Sequence, residues 1–131
     1  MIHHTSRHIF LHDTDASGLI FFGAVSRWLS EAETALFDAI GHKSLGPDGT
    51  ASPVRSMNVE YLRPLRFRDK CEHLVWVSDV GKSSFTVDHE LRHDGEIAVT
   101  ARIVHVSVTL ETMALAPAPE EIRRSSSGAE R

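Results

Sequence analysis

The stretch Asp13-Thr-Asp15-Ala-Ser-Gly18-Leu-Ile-Phe-Phe22 lies between a predicted strand and a predicted long helix. Its first half is rich in Asp, Ser and Gly, residues that favour turns. Its second half is a short apolar run that leads into residues 23–40, where apolar side chains recur every three or four positions. That spacing predicts an amphipathic α-helix. Gly41 follows, and glycine is a common residue just after the end of a helix.

Strand patterns flank this helix on both sides. Arg7–Asp13 is predicted as a first strand because Ile9 and Leu11 alternate with His8, Phe10 and His12. After a loop rich in Gly, Pro and Ser at 46–53, four further strands are predicted at 57–62, 71–79, 84–93 and 97–110. Asp94-Gly95 predicts a hairpin between the last two strands.

The last predicted strand changes its apolar parity midway. Its apolar residues fall on alternate positions up to Ile103 and then shift to Val104, Val106 and Val108. A β-bulge near Ile103 would explain the shift, and bulges bend strands. We therefore expect a long, curved antiparallel sheet that wraps one helix.

Strand, long helix and four antiparallel strands in this order predict an α+β fold. The chain of 131 residues has the length of one domain. We predict that residues 1–111 form this domain and that residues 112–131 form a C-terminal extension that is partly disordered, because it is rich in Ala, Pro and Ser.

Composition limits the function classes. The net charge of −4 argues against a nucleic-acid partner, which requires a basic surface. The sequence has no window resembling a membrane span, no signal-like apolar core and a single cysteine, Cys71. We therefore expect a cytoplasmic protein that does not bind membranes. No sequence motif calls for a metal or another cofactor.

The segment 13–22, with Ser26-Arg-Trp-Leu29 after it, resembles the signature of the 4-hydroxybenzoyl-CoA thioesterase family, including its Tol-Pal-associated members. Asn58-Val-Glu-Tyr-Leu-Arg-Pro-Leu65 and Val80-Gly-Lys-Ser-Ser-Phe85 extend the resemblance. The resemblance implies a hotdog fold, a dimer or tetramer with active sites at the dimer interface, and hydrolysis of an acyl-coenzyme A. It further implies that Asp15 is the nucleophile or general base and that the Phe22 backbone N–H polarises the thioester carbonyl.

Elementary electrostatics supports a reactive site at this position. A helix N-terminus presents unpaired N–H groups and a partial positive charge, which stabilise a developing oxyanion. Phe22-Gly-Ala24 offers no preferred capping side chain, so these donors stay available for a substrate. The alternative is that Asp13 and Asp15 only build the turn. We interpret Asp13 as structural and Asp15 as catalytic.

The resemblance also implies a site for coenzyme A phosphates at Lys82 and Ser83. An exposed turn lysine is an equally good explanation of Lys82, and the basic residues Arg63, Arg66 and Arg68 are alternatives. Phe22 and Ala24 replace polar residues of many family members, which leaves the acyl group open. We expect an aromatic or short-chain acyl group.

Several alternatives remain. Other hotdog thioesterases carry their carboxylate on the helix, where Glu31 and Glu33 are candidates. A dehydratase would share the fold, and so would a non-hydrolytic module that binds acyl-CoA or acyl carrier protein. A dehydratase needs a histidine base near the helix start, and His12 is the nearest candidate.

Other motifs are set aside. His89-Glu-Leu-Arg-His93 matches a zinc-protease pattern, but its flanks predict a strand, on which the two histidines lie about 13 Å apart. The calcium-loop pattern that begins at Asp13 lacks the required glutamate at its twelfth position, which is Ala24. Cys71 is predicted to be a small core residue.

Overall fold

The structure, a computed structural model, describes residues 1–46 and 48–127. Two helices and eight strands lie in these residues. The helices are α1 (Phe22–Ile40) and α2 (Glu120–Ser127). The strands are β1 (Ile2–His8), β2 (Thr50–Ala51), β3 (Val54–Tyr61), β4 (Lys70–Val80), β5 (Ser84–His93), β6 (Glu96–Val106), β7 (Val108–Thr109) and β8 (Ala114–Leu115).

The main sheet holds five of these described strands in the order β1-β4-β5-β6-β3, and every neighbouring pair is antiparallel. The three shortest strands, β2, β7 and β8, form a separate small sheet. The strands β3, β4 and β5 lie within a few residues of their predicted bounds. Alternating residues of β5 are buried under α1, as the sequence pattern predicted.

Helix α1 begins one residue before its predicted start and ends at the predicted residue. Its buried stripe includes Val25, Trp28, Leu29 and Leu36. Burying side chains of this size contributes about 1.5–3 kcal/mol each. Gly41 adopts φ +77°, a left-handed conformation that favours glycine, and its N–H bonds to carbonyls of the last turn.

The first strand lies earlier in the chain than predicted. The structure places β1 at Ile2–His8, whereas residues 11–13 form a short 3₁₀ turn. The prediction of a strand over Arg7–Asp13 is therefore wrong beyond His8. Histidine, serine and arginine side chains on β1 concealed its pairing with β4, and the buried Asp13 carboxylate stabilises the turn by accepting the Phe10 N–H at 2.9 Å.

The predicted bulge near Ile103 is also wrong. Ile103 pairs regularly with Val87 and Met57. The extra residue of β6 is Ala98, between the partners of Leu91 and Arg92, and at the register shift beside Val104 and His105 the extra residue is Arg55 of β3. The inward alternation therefore continues through residue 105. The chain changes faces only at residue 107, where β6 ends and β7 begins.

The C-terminal segment differs from the expected loose tail over its described part. β8 pairs with β7, and the side chain of Ile122 on α2 is fully buried in the cluster that contains Leu36, Val77 and Phe85. Burial of this apolar side chain explains why α2 packs on the sheet. The predicted disorder of residues 128–131 lies outside the described residues.

Ile122→Ala should lower the free energy of unfolding by about 3 kcal/mol, because it removes a fully buried side chain and leaves a cavity. Urea unfolding measures the change. The control Glu120→Gln alters an exposed residue of the same helix and should cost less than about 1 kcal/mol. Equal effects of the two substitutions would show that α2 does not contribute to the core.

Candidate functional site

The loop between β1 and α1 is closed by its own backbone. Thr14 and Ile20 form an antiparallel bridge, and the Asp15 N–H donates to the Leu19 carbonyl at 2.9 Å. Gly18 has φ +82° and its N–H returns to the Asp15 carbonyl at 3.0 Å. A non-glycine residue at this φ would be strained. The sequence pattern of turn formers thus produces a compact loop whose closing turn begins at Asp15.

The Asp15 side chain is exposed in this single chain and is held by its neighbour Ser17. One carboxylate oxygen accepts both the Ser17 N–H, at 2.8 Å, and the Ser17 hydroxyl. The Ser17 hydroxyl, followed by its N–H, lowers the pKa of Asp15 below its ordinary value. Asp15 is therefore ionised at neutral pH, as a nucleophile or general base requires.

Asp13 fixes the loop to the helix. Its buried side chain accepts the Arg27 guanidinium at 2.5 Å as well as the Phe10 N–H. Its backbone carbonyl accepts the Phe21 N–H at 2.7 Å. A buried carboxylate requires such partners. The geometry agrees with the structural role assigned to Asp13 from the sequence.

The N-terminus of α1 opens beside this loop. Among the described residues, no side chain caps the first turn, and that turn contains no acidic residue. The Phe22 side chain is 70% exposed. An added Cβ at Gly23 would lie 2.4 Å from a ring carbon of Phe21, so a larger residue would displace that ring. The uncapped N–H groups keep the partial positive charge of the helix end accessible.

Lys82 and Ser83 lie at the other end of the sheet. They form the turn between β4 and β5. The Asp15 loop lies near the other end of β5, because the Ile20 N–H bonds to the Leu65 carbonyl and Leu65 shares a core cluster with Leu91. Ten residues of strand span roughly 30 Å. One chain therefore does not bring Lys82 and Ser83 together with Asp15.

Among the alternative basic residues, Arg66 lies nearest to the loop, because its backbone forms a bridge with Leu19. Arg63 is paired with Glu96 at 2.5 Å. The Arg68 guanidinium stacks over the Phe67 ring at 4.8 Å.

A buried network that the sequence reading missed joins α1 to three strands. Glu33 accepts hydrogen bonds from His105 Nε2 at 2.8 Å and from His89 Nε2 at 3.0 Å. His89 Nδ1 contacts His73 Nε2 at 2.9 Å, and His105 Nδ1 contacts the Ser52 carbonyl at 2.7 Å. Inward alternation on the strands could have placed the histidines in the core, but not beside Glu33.

Burial alone would raise the pKa of Glu33, but the hydrogen bonds from His105 and His89 outweigh burial and lower it. Burial opposes protonation of His105, yet its bond to Glu33 raises the pKa of that imidazole. Burial, followed by the neighbouring His89, lowers the pKa of His73 to about 3. These shifts favour an ion pair between Glu33 and His105, and they leave His73 uncharged at neutral pH.

One proton assignment satisfies these contacts. With Glu33 ionised, both His105 nitrogens face acceptors, so His105 is an imidazolium. His89 donates to Glu33 and accepts from His73. This leaves His73 Nδ1 unprotonated, and within residues 1–46 and 48–127 that atom has no hydrogen-bond partner.

The helix carboxylates do not offer a free base. Both oxygens of Glu33 are occupied by histidines. Glu31 is exposed and pairs with Arg7 at 2.8 Å. Neither arrangement favours these residues over Asp15.

The histidines of the zinc-protease pattern lie on a strand, where each has its own partner. His89 and His93 both lie on β5, where His89 bonds to Glu33 and His93 bonds to the Lys70 carbonyl.

Burial raises the pKa of the Cys71 thiol to about 11, which makes it a poor nucleophile. No group of metal-ligating residues suits a metal ion among the described residues. The helices in this part of the chain include none that is long and apolar enough to cross a membrane.

Glu33→Gln should lower the free energy of unfolding by about 3 kcal/mol, because it leaves the buried His105 imidazolium without its counter-charge. Glu31→Gln is the matched control on the same helix and should cost less than about 1 kcal/mol, since its ion pair is exposed. Chemical denaturation at pH 6 measures both. A Glu33→Gln protein as stable as the control would contradict the ion-pair assignment.

Comparisons with known proteins identify the family of this chain. Residues 10–125 match the family model described as the thioesterase-like superfamily. The 1,4-dihydroxy-2-naphthoyl-CoA hydrolase of Synechococcus elongatus is 28% identical over 115 residues, which cover 85% of this chain and 85% of that protein.

Solved structures share the fold. A 1,4-dihydroxy-2-naphthoyl-CoA thioesterase from Synechocystis aligns with a TM-score of 0.87 at 17% identity, covering 98% of this chain and 97% of that chain. A DHNA-CoA thioesterase from Staphylococcus aureus aligns with a TM-score of 0.79 at 21% identity, covering 88% and 80% of the two chains. These likenesses confirm the predicted hotdog fold.

Proposed function

Because the chain belongs to the thioesterase-like superfamily, we propose that it hydrolyses the thioester of an aromatic acyl-coenzyme A with the carboxylate of Asp15. The predicted enzyme class, a thioester hydrolase, is confirmed by the family and by relatives named for that activity. The acyl group and the residue roles are our proposal. The ionised Asp15 in the loop beside the uncapped start of α1 is the observation that supports it.

Two routes use the same geometry. In the first, an Asp15 oxygen attacks the carbonyl carbon and the C–S bond breaks, so coenzyme A leaves as a thiolate that takes a proton from water. A second water then hydrolyses the resulting anhydride and restores the Asp15 carboxylate. In the second, Asp15 takes a proton from the water that attacks the carbonyl carbon, the C–S bond breaks, and the departing thiolate receives that proton. Both routes place negative charge on the carbonyl oxygen, and the Phe22 N–H is the proposed donor to it.

The relatives guide the choice of acyl group. The resemblance stated from the sequence is confirmed for hotdog acyl-CoA thioesterases as a group, whereas the Synechococcus relative is named for a dihydroxynaphthoyl substrate and not for 4-hydroxybenzoyl-CoA. An aromatic acyl group is consistent with the exposed rings of Phe21 and Phe22 beside the loop.

We further propose that Lys82 and Ser83 of one copy bind the coenzyme A phosphates of a substrate whose thioester lies at Asp15 of a second copy. Within one chain the two groups lie at opposite ends of the sheet. The edge strand β3 is mostly exposed and carries apolar side chains such as Val54 and Met57, which a second copy could cover. A dimer, or a tetramer built from dimers, would complete the site.

A dehydratase remains a weaker candidate. Its base would be His12, whose side chain is 71% exposed on the turn before the loop. Asp15 lies nearer to the helix start along the chain. A cytoplasmic location remains the proposal made from composition.

Asp15→Asn should lower kcat for acyl-CoA hydrolysis about 100-fold or more, because the amide can neither attack the carbonyl nor accept a proton from water. Release of free thiol from aromatic, short-chain and long-chain acyl-CoAs measures the activity. Asp48→Asn is the matched control, since Asp48 is also exposed and also bonds to a hydroxyl and an N–H two residues later. Full activity of Asp15→Asn would exclude Asp15 from the mechanism.

Ser17→Ala should move the acidic limb of the kcat/KM profile to higher pH. The Ser17 hydrogen bonds lower the pKa of Asp15. In the wild-type protein, activity that requires the carboxylate is therefore lost only when the pH falls through this lowered pKa. Loss of the hydroxyl returns the pKa toward its ordinary value. Ser6→Ala, an exposed serine on β1, serves as control. An unchanged acidic limb in Ser17→Ala would show that another group sets it.

A further inference from the structure

A small cleft lies between the Asp15 loop and the end of β3. One wall is formed by Leu19 and Ile20, and the other by residues 61–65, beginning with Tyr61. Its volume is about 250 Å³. Pockets for drug-sized ligands are typically roughly 300–1,000 Å³, so this cleft suits a single compact group.

The cleft is attached directly to the proposed catalytic groups. The Leu19 carbonyl accepts the Asp15 N–H at 2.9 Å, and the Ile20 N–H donates to the Leu65 carbonyl at 3.0 Å, so the loop bonds to both sides of the cleft. Phe22, the first residue of α1, is only two residues beyond Ile20. Two extended residues span roughly 7 Å, which is within reach of an acyl group whose carbonyl lies at the helix start.

The chemistry of the walls favours an uncharged, planar group. Leu19, Ile20, Leu62 and Pro64 present apolar surface. The guanidinium of Arg63, which also borders the cleft, is paired with Glu96 and is neutralised there. A free carboxylate or phosphate would therefore find little attraction in this cleft.

Tyr61 adds one polar group to these walls. It is the single tyrosine of the chain, and its side chain is about half exposed. In the part of the chain that the structure describes, its hydroxyl has no hydrogen-bond partner. Burial of the ring raises the pKa of Tyr61, so the phenol keeps its proton at neutral pH and can donate.

We propose that this cleft is the acyl pocket, that it receives a planar aromatic acyl group, and that Tyr61 is its specificity-determining residue. The tyrosine ring packs against the ring of the acyl group, and its hydroxyl donates to an oxygen substituent on that ring. The proposal rests on the proposed thioesterase function and specifies the substrate class of that site.

Three substrates separate the two contributions of Tyr61: benzoyl-CoA, 4-hydroxybenzoyl-CoA and hexanoyl-CoA. Tyr61→Phe should leave kcat/KM for benzoyl-CoA within about two-fold of wild type and lower it about five-fold for the hydroxylated ring, because one hydrogen bond is lost. Tyr61→Leu should lower kcat/KM for both aromatic substrates about ten-fold and leave hexanoyl-CoA nearly unchanged, because ring packing is lost.

The matched control is Leu110→Met, an apolar position of similar exposure that does not line the cleft. It should preserve the relative rates for the three substrates. Thermal unfolding of each variant checks folding, and Tyr61→Phe retains the ring and so is the variant least prone to unfold.

Equilibrium binding gives a readout that does not need turnover. Benzoyl-CoA should bind Asp15→Asn more tightly than coenzyme A does, and the added substitution Tyr61→Leu should abolish that difference. If Tyr61→Leu leaves the substrate ratios and this difference unchanged, the cleft is not the acyl pocket, although turnover that depends on Asp15 would keep the proposed function. If wild-type protein releases no thiol from any substrate, the proposed function fails and the binding comparison alone decides about the cleft.

Discussion

The buried carboxylate of Asp13 is the constraint that the candidate site depends on. It receives the Phe10 N–H and the Arg27 guanidinium, while its backbone carbonyl receives the N–H of Phe21. These bonds connect the turn after β1, the loop and the first turns of α1. Because burying an unpaired carboxylate is costly, the three segments have one favourable arrangement. Asp15, two residues later, takes its position from that arrangement.

A second polar cluster performs a similar task inside the fold. Glu33 on α1 bonds to histidines of β5 and β6, and through His89 it connects to β4. Apolar packing of Trp28 and Leu36 supplies most of the burial but is not directional. The Glu33 bonds are directional, so they specify the rotation of the helix against the sheet. The cost of burying these charges is offset by their mutual pairing.

The proposal that a second copy completes the site rests on the distance between the proposed groups within one chain. The loop, the start of α1 and the cleft at Tyr61 lie together at one end of the sheet, whereas Lys82 and Ser83 lie at the other. The acyl and thioester portions of a substrate can be held by one chain. The distal phosphates of coenzyme A are the remaining part. Lys82, in the turn between β4 and β5, is too far from Asp15 of the same chain to bind them.

Local pattern was enough to predict the elements. The three- and four-residue spacing defined α1 almost to the residue, Asp94-Gly95 marked the hairpin, and the turn formers around Asp15 marked the loop, because each depends on neighbours in the chain. Only the tertiary structure decided the pairing of the polar strand β1, the bulge at Ala98 and the burial of Ile122. The Glu33 network belongs to the same group, since its partners lie 56 and 72 residues away in sequence. No local period reports contacts at that separation, because they depend on where the folded sheet brings each strand against the helix.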